Sequence, residues 1–249
     1  MKNMSFGLNS YNYLLDLIIN SKKQTIYFTD FKKGLEGIIN RHDVDFCPKK
    51  AHQIAKIEFK KNIRSTFFFL VNSPLYSIYK KENIRLIKDI INMEHKIGLH
   101  FDPEKVGLNM DIINYECKKQ INILENLLSI NVDIISFHRP EKRFIGMKDK
   151  LINKLHTYMP EFIDQIPYCS DSGGVWKYDD PKDIIKNKKR KSLQLLTHPI
   201  WWTTPENLSP GEKIAVHLKN ADPLLHKVAA NNCLPYKIYL QNKGNLKYE

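Results

Sequence analysis

The 249-residue chain is long enough for one sizeable α/β barrel, and its 42% hydrophobic share excludes a largely disordered chain. A formal net charge of +12 raises the local concentration of anions, which brings nucleic acid, anionic lipid and acidic glycans into consideration. The lysines are scattered, however, and the one dense run, 186–191, reads as a solvated loop or helix end. With no arginine-rich arm or nucleic-acid motif beside it, no nucleic-acid partner is expected.

Cys47, Cys117, Cys169 and Cys233 lie far apart and form no paired-cysteine metal signature. Residues 1–10 lack the apolar core of an export signal, and the apolar stretch 11–19 carries Asp16 and is too short to span a bilayer. A cytoplasmic protein with the cysteines as small core residues is therefore expected. No linker or composition break divides the sequence, so residues 1–249 read as a single domain.

In chain order, Tyr11, Leu14, Leu15, Ile18 and Ile19 recur at helical spacing and predict an opening surface helix. The segment 37–42 predicts a buried strand leading into Asp43. Pro48 suits the first turn of a helix with Ala51, Ile54, Ala55 and Phe59 inward. Residues 65–71 predict a strand apolar on both faces, and Ile84, Ile87, Ile90 and Ile91 a helix. His95 reads as an exposed helix-end residue, and 97–100 as a strand ending in His100. A long helix is expected over 112–128, then strands over 134–138 and 193–198, each again ending in histidine. Alternating strands and helices imply parallel strands with crossover helices. Polar residues after several strand ends favour a (β/α) barrel over an open sheet.

Five polar clusters carry the candidate chemistry. In Arg41-His42-Asp43-Val44-Asp45, the period of two puts both aspartates on one side, where they repel unless a cation or a shared proton lies between them. In 95–104, His100 beside Asp102 and Glu104 is a candidate ligand for a divalent metal. Ser136-Phe137-His138-Arg139-Pro140, then 168–176 with Asp171, and 195–199 with His198 complete the set.

In order and spacing these five pieces resemble the polysaccharide deacetylase family (carbohydrate esterase family 4), over roughly two-thirds of the chain. Arg-His-Asp-Val-Asp together with His-Lys-Ile-Gly-Leu-His resembles a branch associated with surface-polysaccharide biosynthesis. The resemblance implies an α/β fold, a distorted (β/α) barrel of about seven parallel strands. It implies Asp43 as catalytic base, Asp45 and His100 as metal ligands and Arg139 as the arginine holding Asp43. It also implies Asp171 orienting His198 as general acid, with Trp176 as a pocket wall and Leu196 in the last motif.

The chain departs from the family at Glu104, where a second metal histidine is usual. A glutamate oxygen is a legitimate zinc ligand, so the expected site is Asp45, His100 and Glu104, with Asp102 or His138 as substitutes. The expected cofactor is a divalent metal, zinc first among them, and the expected partner an amino-sugar or glycan substrate. Trp176, Tyr168 and Phe101 are candidates to stack on sugar rings; Trp201 and Trp202 suit either stacking or rim packing. The expected reaction is metal-dependent removal of an acetyl group from an N-acetylated amino sugar, an amide C–N hydrolysis in carbohydrate metabolism. A related barrel amidase acting on a small amide or imide, and a non-catalytic glycan-binding protein on the same scaffold, are the alternatives.

Overall fold

A computed structural model describes residues 5–107, 109–219, 221 and 223–243. Its strands are β1 (Thr25–Ile26), β2 (Ile38–Val44), β3 (Thr66–Leu70), β4 (Lys96–Phe101), β5 (Ile134–Phe137), β6 (Leu155–His156), β7 (Tyr168–Ser170) and β8 (Leu193–Thr197). All pair in parallel, in the order β6-β5-β4-β3-β2-β8-β7, with short β1 beside the start of β2. The seven-strand path curls into a distorted half-barrel, as the family resemblance implies, and its parallel strands are those the alternation of elements predicts. Among the described residues β6 and β7 share no ladder, so the barrel stays open between them.

The helices in chain order are α1 (Leu8–Asn20), α2 (Phe28–Lys32), α3 (Pro48–Lys60), α4 (Lys81–Asn92), α5 (Met110–Leu128), α6 (Pro160–Ile163), α7 (Pro181–Lys186), α8 (Pro199–Trp202), α9 (Pro210–His217), α10 (Pro223–Asn232) and α11 (Leu234–Asn242). None is long and apolar enough to cross a membrane. Residues 187–191 form an exposed loop after α7.

Strand alternation divides the side chains into two sets. Ile38, Val44, Phe67, Phe69, Leu99, Phe101, Ile135 and Leu195 join the core under the helices. Ile39, Phe68, Ile134 and Leu155 turn the other way and pack with Phe28, Met159 and Phe162 as an apolar floor inside the barrel. Gly98 makes that floor possible, because a Cβ there would sit 2.4 Å from the Phe68 ring. Above the floor the inward positions become polar. Gln194 donates from Nε2 to the carbonyls of Thr157 (3.2 Å) and Phe162 (2.9 Å), tying β8 to the segment beyond β6.

Two expectations about burial are corrected. Phe59 is 47% exposed, and the inner face of α3 holds Glu58 instead. His95 is buried, its Nε2 3.1 Å from the Ala55 carbonyl and its ring edge-on to Phe67. Both depart from simple apolar periodicity because a polar network lies beneath the sheet.

Candidate active site and metal centre

Asp43 and Asp45 leave the C-terminal end of β2 on its inward side, as period two requires. Arg41 precedes Asp43 by two and so shares that side. Its guanidinium is fully buried and grips Asp43 as a fork, Nε to Oδ1 at 2.9 Å and Nη2 to Oδ2 at 2.7 Å. Arg41 also donates to Ser136 Oγ and Gln194 Oε1 and lies over the Tyr158 ring. Burial opposes ionisation of Asp43, but Arg41 and then His100 outweigh it and hold the carboxyl below its ordinary value.

The structure therefore separates Arg139 from the role expected of it. Arg139 has φ +51°, so the chain leaves the strand path there and the alternation of faces is lost. Its guanidinium turns to Asp102 (2.8 Å) and Glu104 (2.7 Å) at the rim, and no contact with Asp43 is seen. Removing a partner from a buried ion pair costs about 3–5 kcal/mol, whereas a rim pair contributes about 1 kcal/mol or less. Arg41→Met, which breaks a pair buried on both sides, is thus expected to destabilise the fold more than Arg139→Met, whose pair with Asp102 is buried on one side. Paired urea titrations of the two variants measure the difference.

Asp45 is the hub of a donor cluster. His100 Nε2 lies 3.1 Å and His138 Nδ1 3.3 Å from its Oδ1, and ligand atoms of the three residues all fall within 4.8 Å of one another. Ser136 Oγ, 3.1 Å from His100 Nδ1, can accept that ring's proton and leave Nε2 as a lone-pair donor. Burial disfavours the Asp45 anion, yet His138, His100 and His198 hold it well below the usual carboxylate range. Three carboxylates, Asp43, Asp45 and Asp171, meet here, and Arg41 is the guanidinium in direct contact with Asp43. One carboxylate and two imidazoles converging in such a place suit a divalent ion.

Glu104 is not part of that cluster. Its side chain is 65% exposed and is engaged by Arg139, because the segment after Phe101 carries it up to the rim. His138, held only as a substitute in the sequence reading, stands where Glu104 was expected. Its signal was present: it follows Ser136 by two, just past the end of the strand directly beside the one carrying His100.

His198 follows β8. Asp171 Oδ1 lies 2.6 Å from His198 Nδ1 and also accepts its backbone N–H at 3.0 Å. Trp202 Nε1 donates to Asp171 Oδ2 at 2.7 Å. Burial would lower the His198 pKa, but Asp171, followed by Asp45 and Asp43, pushes it up to about 9. Its Nε2 faces the donor cluster, 3.8 Å from Asp45 Oδ2.

Asp43, Asp45, His100, His138 and His198 line one cleft of about 1120 Å³, walled by Tyr168, Leu196 and Trp201. Tyr168, a candidate for stacking on sugar, lines the cleft. Phe101 and Trp176 do not. Phe101 is the neighbour of inward-facing His100, so alternation sends it into the outer core. Trp176 packs against Phe6 and Trp202 instead. Arg41 and Ser136 join the site although the sequence reading gave neither of them a role in it, and Trp202, a candidate for stacking or rim packing, holds Asp171 instead.

No family model matches the chain, and no curated protein does. Among solved structures it is similar to the deacetylase PplD of Streptococcus pyogenes in complex with acetate, at 11% identity and TM-score 0.48, covering 87% of this chain and 88% of that one. A family 4 carbohydrate esterase from Bacillus anthracis matches at 14% identity and TM-score 0.44, covering 88% and 86%. A CE4 family pseudoenzyme from Bacillus anthracis matches at 17% identity and TM-score 0.42, covering 65% of this chain, which spans 54% of that protein's length. At this distance the chemistry rests on the chain's own side chains.

Proposed function

We propose that this chain is a polysaccharide deacetylase of carbohydrate esterase family 4, a single barrel domain over 1–249 that hydrolyses the acetamide of an N-acetylated amino sugar or glycan precursor. The observation that carries the reading is one rim where Asp43, gripped by Arg41, and His198, gripped by Asp171, flank the Asp45–His100–His138 cluster.

Asp45, His100 and His138 would hold a divalent cation, zinc by preference, which when bound supplies Lewis-acid polarisation of the acetyl carbonyl. Asp43 is kept ionised by Arg41, so its carboxylate receives the proton of the attacking water. Asp171 favours the protonated form of His198, which delivers a proton from Nε2 to the departing nitrogen while Asp171 retains the one on Nδ1. An amine leaves only once protonated, which is why the site needs an acid as well as a base. Tyr168, Leu196 and Trp201 offer apolar surface to the acetyl methyl and the sugar.

A cleft of about 1120 Å³ is at the upper end for a small-molecule site and suits an oligosaccharide or carrier-linked sugar better than a small imide. Four free cysteines, three of them buried, accord with action in the reducing cytoplasm and a biosynthetic role. Acetate release from N-acetylated and O-acetylated amino-sugar oligomers, with zinc or cobalt added and after chelation, tests the proposal. Release from the N-acetylated substrates, lowered at least about tenfold by chelation, is the expected result. No release from any acetylated sugar, or release indifferent to chelation, overturns it.

A further inference from the structure

On the face of β2 opposite the cleft, His42 occupies the place between Arg41 and Asp43, fully buried. Its two ring nitrogens bridge two elements. Nε2 lies 2.9 Å from Glu58 Oε1 on α3, and Nδ1 lies 2.7 Å from Thr197 Oγ1 on β8. His42 and Thr197 are cross-strand partners in the parallel ladder, and the residues that follow them are Asp43 and His198.

Glu58 is as deeply buried, and its oxygens accept from Tyr11 Oη (2.6 Å), Asn40 Nδ2 (2.5 Å) and Ser65 Oγ (2.8 Å) besides His42. Burial opposes its charge, yet His42 leads the groups that hold its carboxyl below the ordinary value. The carboxylate requires a proton on His42 Nε2, and Nδ1 lies within hydrogen-bond reach of the Thr197 hydroxyl. An acid, an imidazole and a hydroxyl in a row resemble a nucleophile triad, but Thr197 and His42 are wholly buried and neither lines the cleft. Their service is therefore mechanical.

We propose that the Glu58–His42–Thr197 chain is a positioning device that fixes β2 against β8, and with it the placement of Asp43 relative to His198. A slip of one residue along that ladder would turn Asp43 out of the cleft, and apolar side chains at these positions would not resist it by hydrogen bonding. The inference rests on the reading of Asp43 as base and His198 as acid.

Thr197→Val removes the hydroxyl at nearly constant volume and substitutes no cleft residue. Its kcat for acetate release is expected to fall roughly tenfold or more at unchanged KM, since small misplacements of catalytic groups are costly. Thr197→Ser, which restores the hydroxyl, should recover most of the loss. Independently of turnover, the imidazole N–H signal of His198 in the NMR spectrum should shift or broaden in Thr197→Val. A folded Thr197→Val with kcat within twofold of the parent and the same His198 signal overturns the proposal. Should the parent release no acetate, the catalytic reading fails, and the His198 signal alone decides this one: a shift supports it and an unchanged signal overturns it.

Discussion

His138→Ala is expected to abolish cation retention, lowering divalent-metal affinity by about a hundredfold or more, while Glu104→Ala leaves metal content at the parental level. Structural metal sites need their full donor set, and the alanine removes one of three converging atoms. Glu104 is paired with Arg139 at the rim, and its loss leaves a guanidinium that Asp102 still holds. Elemental analysis after dialysis against a weak chelator, with calorimetric zinc titration of both variants, measures the contrast. Equal metal loss in the two would return Glu104 to the ligand set. On the proposed reading, His138→Ala should also lose acetate release, since Asp45, His100 and His138 would together hold the ion that supplies Lewis-acid chemistry.

Asp43→Asn is expected to lower kcat by roughly a hundred- to ten-thousand-fold, the usual contribution of a general base. The amide has nearly the carboxylate's shape but is too weak a base to receive the water's proton. Cation binding should persist, because Asp45, His100 and His138 are intact. The substitution also deprives the buried Arg41 of its counter-charge, so the melting temperature should fall, and kinetics belong well below the variant's transition. His198→Gln should lower kcat by a similar factor, since the amide has no acidic proton to deliver from the position of Nε2. Turnover within threefold of the parent in both variants would remove the acid–base assignment. Metal content and single-turnover acetate release, taken on the same preparations, distinguish loss of chemistry from loss of the ion.

The alternation of strands and helices, and the polar residues at strand ends, were legible because both follow from short-range geometry. A period of two near 41–45 places Asp43 and Asp45 together, and the same arithmetic applied consistently would have added Arg41 and sent Phe101 outward. Ser136 and His138 were open to the same reasoning. Arg139 was not, because it depends on a backbone turn with positive φ that a side-chain pattern does not reveal. Glu58 illustrates the same difficulty from the other direction. A glutamate on a lysine-rich helix reads as solvent-facing until Tyr11, Asn40, His42 and Ser65, brought from other segments, are seen to satisfy it.

By itself, then, the order of residues determined an α/β barrel and put Asp43, Asp45, His100 and His198 at strand ends, since backbone periodicity and apolar burial are local and additive. Only the tertiary structure decided which arginine grips Asp43, which third donor completes the cluster and which aromatics wall the cleft. Those choices depend on strand order and on where the chain turns after β4 and β5, and they compare residues up to about a hundred positions apart. Electrostatic pairing at such separations is settled by distances of a few ångströms, which emerge only when the sheet curls.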